Sequence, residues 1–330
     1  MTVKDELLAL LMQQHHTTLS GQQIADKLKV SRNAVWKAVE QLRQAGYIIE
    51  SVPRVGYTLH QATTALDRGQ IQHQLADFWR DLHIEIHESV TSTNDLAKQF
   101  AIDSPNQSGV FIARHQSKGR GRRGRQFHSE LAHGLYFTLV FRPEALPLSD
   151  IPQYTLVAAS AMVHAIETLT DRSIAIKWIN DLFANGKKIG GILCEAVTDL
   201  ETQEVSAVLV GIGLNLAGSF AQASEETRQV AGTLFGETLP PNFNPNTLLR
   251  CFLNQFAIYH HSFPQKIHLP YYESHLLGVG KYVTYQQQQT ACAGIIEGIN
   301  QDGHLLVRHE DGTVATLFGN DIHFSSQQFI

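Results

Sequence analysis

The stretch SKGRGRRGRQFHS, Ser117 to Ser129, concentrates positive charge in a chain whose formal net charge is −5. Within the nine positions Lys118 to Gln126 stand five lysines or arginines and three glycines. A core excludes that much charge, and a helix does not tolerate so many glycines. Alternating glycine and arginine does suit one task. Backbone N–H groups and guanidinium forks converge on a single anion, because glycine adopts turns closed to other residues. Like charges repel and little apolar area holds such a loop down. The composition therefore predicts a loop that orders when phosphate or carboxylate oxygens arrive. Taken alone, a basic run also fits a solvated surface loop or an unspecific RNA patch.

Three further clusters have the residue types for handling small anions. Thr91-Ser92-Thr93-Asn94 opens a predicted helix, so hydroxyls and a helix N-terminus offer donors to a small polar ligand. KWIND (177–181) ends a strand with Lys177, Asn180 and Asp181 close together, and KKIGGIL (187–193) brings Lys188 to the start of the next. Each has a plainer reading: Ser92 as an N-cap, Asn180-Asp181 as a turn, Lys188 as a surface charge. Their conjunction with the arginine loop favours the functional one. The loop lacks the spacing of a Walker phosphate loop, and GIGLNL (211–216) lacks the third glycine of a dinucleotide fingerprint.

The elements that must carry these residues fall into three textures. At 330 residues and 43% hydrophobic content the chain has material for two or three domains with a real core. The apolar run Leu7 to Met12 is too short to span a bilayer, and no signal-peptide pattern surrounds it. Cys194, Cys251 and Cys292 lie far apart without metal-ligand spacing, which implies reduced thiols in a cytoplasmic protein and no protein-held metal. The 17 histidines form no HExxH or Cys/His cluster, and most of them read as scattered polar surface.

Residues 1–62 read as three helices and a hairpin, the order of a winged helix-turn-helix. Ser20 and Ser31 look like N-caps of the second and third helices. The third, Arg32 to Gln44, turns Ala34, Val35, Ala38, Val39 and Leu42 inward and Arg32, Asn33, Trp36, Lys37 and Gln41 outward. Ser31, Arg32, Asn33, Trp36 and Lys37 are thus the candidate DNA-binding residues, since such side chains read base edges and phosphates. Seven basic against five acidic residues in positions 1–60 is only mildly basic, so a protein-binding adaptor is the competing reading. Positions 61–70 look like a linker. From about 71 to 265 strands alternate with helices, implying a mixed sheet. The tail carries Asp302-Gly303 and Asp311-Gly312, two hairpin signals of a small all-β barrel.

STN, GRGRRGR, KWIND, KKIGGIL and GIGLN, in this order and spacing, resemble a biotin protein ligase, and the head makes the chain resemble the bifunctional biotin operon repressors. The resemblance spans essentially the whole chain. It implies an α+β multidomain protein: a winged helix-turn-helix DNA-binding domain (1–62), a mixed-sheet biotin/lipoate ligase-like catalytic domain (63–272) and a small SH3-like β-barrel (273–330). It implies ATP and biotin as substrates, Mg2+ accompanying ATP, and a biotinyl-5'-AMP intermediate. Its partners would be a biotin carboxyl carrier protein of acetyl-CoA carboxylase, operator DNA, and a second copy of the chain once biotinyl-AMP is bound.

By similarity, Ser92, Thr93, Asn94, Gln116, Arg120, Gly121, Arg122 and Lys188 would bind biotin. Lys188, Arg122 and Asp181 would act in catalysis, and Arg123, Lys177, Asn180 and Asn215 would face the nucleotide. Two positions depart from the family pattern: Ile179 stands where proline is usual, and Gln126-Phe127 replaces a basic-aromatic pair. No tryptophan follows Asn215 to stack on adenine, which leaves Phe235 as a substitute. The competing readings are a lipoate ligase or octanoyl transferase, a sensing repressor without catalysis, and a ligase whose head no longer binds DNA.

Overall fold

A computed structural model of the chain describes residues 2–14, 17–61, 63–129, 131, 133–144, 146–198, 204–287, 290–319 and 322–329. The chain divides into two compact units, residues 1–77 with 242–251, and residues 78–241 with 252–330.

In the first unit, α1 (Val3–Gln13), α2 (Gly21–Leu28) and α3 (Arg32–Gln44) are each started by a side-chain cap. Thr2 and Ser20 form reciprocal capping boxes with Asp5 and Gln23, and the Ser31 hydroxyl accepts from the Ala34 N–H. Leu7, Leu8, Leu11, Ile24, Val35, Val39 and Leu42 fill the core between them. The wing is the antiparallel pair β1 (Ile48–Val52) and β2 (Gly56–Gln61). It is stitched to the start of α2 by two backbone bonds between Leu19 and Tyr57, 3.0 and 2.8 Å. Gly56, at φ 147°, is required there: a Cβ would sit 2.1 Å from the Leu19 carbonyl oxygen.

Within the expected linker 61–70, residues 63–70 are more built than a linker. Asp67 caps α4 (Arg68–Gln72), its backbone N–H donates to Asn246 Oδ1 at 2.8 Å, and its carboxylate meets Lys4 at 3.1 Å. Gln70 Nε2 donates to the Thr63 carbonyl, and Asn246, fully buried, donates to that of Ala65. Small polar composition marks a flexible segment only when nothing completes its hydrogen bonds, and here residues 244 and 246 do so.

In the second unit a mixed sheet has the order β3-β4-β5-β9-β8-β7-β6. Its strands are β3 (His83–Val90), β4 (Gly109–Gln116), β5 (His133–Phe141), β6 (Ala175–Lys177), β7 (Asp181–Ala184), β8 (Lys187–Thr198) and β9 (Val205–Ala217). Only β3 and β4 run parallel, joined by the crossover helix α5 (Thr93–Asp103); the other neighbours are antiparallel. Alternation along β9 gives Ala207 and Leu209 to the face packed by Ala97 and Ala101 of α5. The apolar helix α6 (Ile151–Leu169) packs on the sheet as well, contacting β7, β8 and β9. The stretch after β9 contains α7 (Glu225–Val230), followed by α8 (Pro245–His261) and α9 (His268–Ser274).

The tail folds as an antiparallel sheet of β10 (Tyr282–Gln287), β11 (Thr290–Ile299), β12 (Leu305–Arg308), β13 (Val314–Leu317) and β14 (Ile322–His323). The two Asp-Gly pairs make its turns, with Gly303 at φ 76° and Gly312 at φ 85°. The α+β class, the winged head, the central mixed sheet and the small β domain all match the sequence expectations.

Candidate active site and nucleic-acid face

A cleft opens over the centre of the sheet. Its floor depends on glycines. Gly211 and Gly213 of β9 pair with Leu193 and Gly191 of β8, and no side chain rises from three of the four. A Cβ on Gly211 would stand 2.4 Å from Asn94 Oδ1, and one on Gly213 2.5 Å from the Phe127 ring. The sheet can therefore be approached closely here by a ligand and by α5.

At one end lies a buried polar group. Ser92 caps α5, its hydroxyl accepting from the Asn94 N–H. The Thr93 N–H donates to Gln116 Oε1 at 2.8 Å, and the Thr93 hydroxyl lies 3.1 Å from that oxygen. Gln116 Nε2 donates to the Ser129 hydroxyl at 3.0 Å. Thr138 of β5 meets the Thr93 hydroxyl at 2.8 Å and donates to Asn94 Oδ1 at 2.7 Å, while Asn94 Nδ2 donates to Glu195 of β8 at 2.7 Å. Ser92, Thr93, Asn94, Gln116, Ser129 and Thr138 are all buried. Buried donors and acceptors of this kind suit a small polar ligand.

The other end is cationic. The loop leaves β4, makes a single turn at Arg122–Gly124 with Arg123 at φ 58°, and closes on itself through Gly121 N–H to the Arg125 carbonyl, 2.7 Å, and Phe127 N–H to that of Gly119, 2.9 Å. Arg120 pairs with Asp95. Arg122 Nη2 donates to the Gly319 carbonyl at 2.6 Å, and Nη1 lies 3.4 Å from Asn180 Oδ1. Burial lowers the pKa of Arg122, and Arg123 beside it pushes the same way. Lys188 bonds to Asp181 at 2.6 Å. Lys177 is 7% exposed, donates to the Phe324 carbonyl at 3.0 Å, and is pushed down to about 8 by burial; Lys188 and Arg125 add to that shift and Asp181 opposes it. Asn180 Nδ2 holds the Ile192 carbonyl at 2.9 Å, and the Trp178–Ile179 peptide is cis. Three cations around one carboxylate make a site with unspent positive charge, suited to anionic oxygens.

A second chamber adjoins the cationic end through Arg125, Phe127, Asp181 and Lys188. Asn215, 4% exposed, lines it; its Nδ2 donates to the Gly232 carbonyl and its Oδ1, among the described residues, has no hydrogen-bond partner. The aromatic rings lining this chamber, among the described residues, are Phe127, His128 and Phe220. Phe235 is not among the residues lining this chamber; the Arg172 guanidinium lies 5.9 Å from its ring centre.

The cleft thus gathers Thr93, Asn94, Gln116, Arg120, Gly121, Arg122, Arg123, Lys177, Asn180, Asp181 and Lys188. Ser92 sits just behind as the cap, and Asn215 belongs to the second chamber. Sequence reasoning missed Thr138, Ser129, Glu195 and the carbonyls of Gly319 and Phe324. Two signals were readable: Thr138 is the one non-aromatic polar residue of GLYFTLVF, and Glu195 the one charge of IGGILCEAV. On the head, Ser31, Arg32, Asn33, Trp36 and Lys37 are all exposed along one side of α3, with Trp36 52% accessible.

Known proteins match both parts. The model of the biotin/lipoate A/B protein ligase family covers residues 86–215, and a helix-turn-helix domain model covers residues 4–58. The bifunctional ligase/repressor BirA of Bacillus subtilis (strain 168) is 33% identical over 326 residues, 97% of this chain and 98% of that protein. Its namesake from Escherichia coli (strain K12) is 29% identical over 334 residues, 99% and 98% of the two chains. Among solved structures, the biotin protein ligase from Aquifex aeolicus in complex with biotin and ATP superposes with a TM-score of 0.62 at 25% identity, covering 74% of this chain and 98% of that one.

Proposed function

The chain belongs to the biotin protein ligases, in their bifunctional ligase/repressor branch, and from that premise we propose how its residues divide the work. The protein is an ATP-dependent biotin ligase and a DNA-binding repressor. What carries the residue assignment is the meeting, in one cleft, of a buried polar end and a cationic end joined by a glycine floor.

The polar end takes the ureido ring of biotin, with Ser92, Thr93, Asn94 and Gln116 around it. The valeryl chain lies over Gly211 and Gly213, which leaves the carboxylate between Lys188 and Arg122. ATP, arriving with Mg2+, places its α-phosphate there and its base in the second chamber. The buried Asn215 Oδ1 suits the exocyclic amine of adenine, and Phe220 and His128 suit its faces. A carboxylate oxygen attacks the α-phosphorus, the bond to the β-phosphate bridge breaks, and pyrophosphate leaves. Both reactants are anions, so the dominant contribution is the fixed positive charge of Lys188, Arg122, Arg123 and Lys177, with Arg120 and Gly121 folding over the product. In the second step a carrier lysine attacks the acyl carbonyl of biotinyl-AMP and AMP departs. Asp181, released from Lys188, orients that amine and Asn180 keeps the nucleotide side in place.

The carrier is a biotin carboxyl carrier domain of acetyl-CoA carboxylase, and the working boundaries are 1–62, 63–272 and 273–330. A cytoplasmic location fits three free thiols and the absence, among the described residues, of any helix long and apolar enough to cross a membrane. Ligand-dependent dimerisation supplies the second DNA contact, because two linked heads raise affinity by roughly 10² to 10⁴ over one.

Biotin-dependent exchange of pyrophosphate into ATP tests the ligase assignment. Biotin should support exchange and lipoate should not; exchange with lipoate alone would transfer the reading to a lipoate ligase. Sedimentation and operator titration, with and without biotin plus ATP, test the dimer. Unchanged association in both would remove it.

A further inference from the structure

Hydrogen-bond direction in the buried polar end can be followed from one fixed point, Glu195. A carboxylate only accepts, so the Asn94 amide must turn its Nδ2 toward Glu195, 2.7 Å away. Its Oδ1 then faces Thr138, whose one proton goes to it over 2.7 Å. With that proton committed, Thr138 cannot donate to Thr93, and the 2.8 Å contact between the two hydroxyls can be made only with the proton of Thr93. Gln116 Oε1, already accepting from the Thr93 backbone N–H, has a second lone pair 3.1 Å from the same hydroxyl, so either acceptor keeps the Thr93 proton inside the buried group. The Thr93 hydroxyl is left with lone pairs and no proton to offer to the cleft it lines.

We propose that Glu195, acting through Asn94 and Thr138, sets the Thr93 hydroxyl as an obligate acceptor for a ring N–H of the bound acid. Glu195 and Thr138 are therefore positioning residues for substrate recognition. The inference rests on the biotin assignment above and deepens it. A cyclic urea offers two N–H donors, whereas a dithiolane ring offers none, and a buried acceptor left unpaired is costly. The geometry supports the relay. Thr138 is fully buried, it pairs with Gly211 across β5 and β9, and the absence of a side chain at Gly211 lets the Asn94 amide lie on the strand between Thr138 and Glu195. Asn94, which the sequence placed on the ligand, contributes chiefly by passing on this direction.

Calorimetric titration of the full chain with biotin, and with biotin methylated at either ureido nitrogen, tests the relay. In Glu195→Gln the side chain keeps its shape but gains a donor, so the Asn94 amide is free to reverse. Biotin affinity should fall roughly tenfold, the size expected for one misdirected buried hydrogen bond. The penalty for N-methylation at one of the two nitrogens should shrink in the same variant, while the KM for ATP stays within about twofold. Glu195→Asp should recover part of the loss. Should Glu195→Gln fold poorly, Thr138→Ser and Thr138→Val carry the same test: serine keeps the hydroxyl and should bind like the wild type, valine should not. Biotin affinity unchanged in Glu195→Gln and Thr138→Val, or biotin and ATP weakened alike, would overturn the relay alone. A wild-type chain that binds no biotin would overturn the ligase reading with it.

Discussion

At the polar end of the cleft Thr93, Asn94, Gln116, Ser129 and Thr138 are buried and bonded to one another, while in the neighbouring loop Arg120, Arg123 and Arg125 are exposed and the backbone is held mainly by its own turns. The first region is finished before any ligand arrives. The second concentrates exposed positive charge. The contrast follows from the two tasks. Recognising a ring needs donors and acceptors fixed in advance, because ordering them later would subtract from affinity. Activating an acid with a nucleotide needs charge that closes over anions and excludes water after both have entered.

The contrast can be pressed hardest at Lys188, whose amine is parked on Asp181 at 2.6 Å. If it stands between the reacting anions, Lys188→Ala slows adenylate formation on the order of a hundredfold or more, with little change in melting temperature. Single-turnover rates within about threefold of wild type would move the chemistry elsewhere. The next largest effect belongs to the floor. Gly213→Ala puts a methyl group 2.5 Å from the Phe127 ring, and overpacking of this kind costs enough to weaken biotin binding roughly tenfold by calorimetry. Unchanged affinity would mean that biotin does not lie over β9.

The smallest expected effect comes from pH. Burial holds Lys177 at about 8, below the usual lysine range, so its charge is lost as pH rises through that value. The ratio kcat/KM for ATP reports the free enzyme, and should fall about fourfold at pH 8.5. Lys177→Arg should abolish that fall. A flat profile to pH 9 would show that Lys177 serves only to hold the Phe324 carbonyl.

Much of this was legible in the chain itself, for local reasons. Ser20 and Ser31 cap the helices they precede, the Asp-Gly pairs make the turns of the tail, and the motif residues collect in one cleft because each sits at an end of a strand or helix of the same sheet. What stayed hidden depends on contacts far apart in sequence. Glu195 and Asn94 are 101 positions apart, and nothing local marks them as partners. Residues 63–72 look loose until Asn244 and Asn246 satisfy their polar groups. The carbonyls of Gly319 and Phe324 have no side-chain signature at all. Phe235 was named for the adenine because position along the chain does not say which rings line the chamber beside Asn215, and Phe220 and His128 do.

Amide hydrogen exchange, followed residue by residue with and without biotin plus ATP, tests the two-region account most directly. The N–H groups of Thr93 and of the β4 and β5 strands should exchange slowly in both conditions. Those of 118–126 should exchange fast in the empty protein and become protected only when both ligands are present. Protection of the loop in the empty protein, or a loop that stays unprotected with biotin and ATP bound, would contradict it.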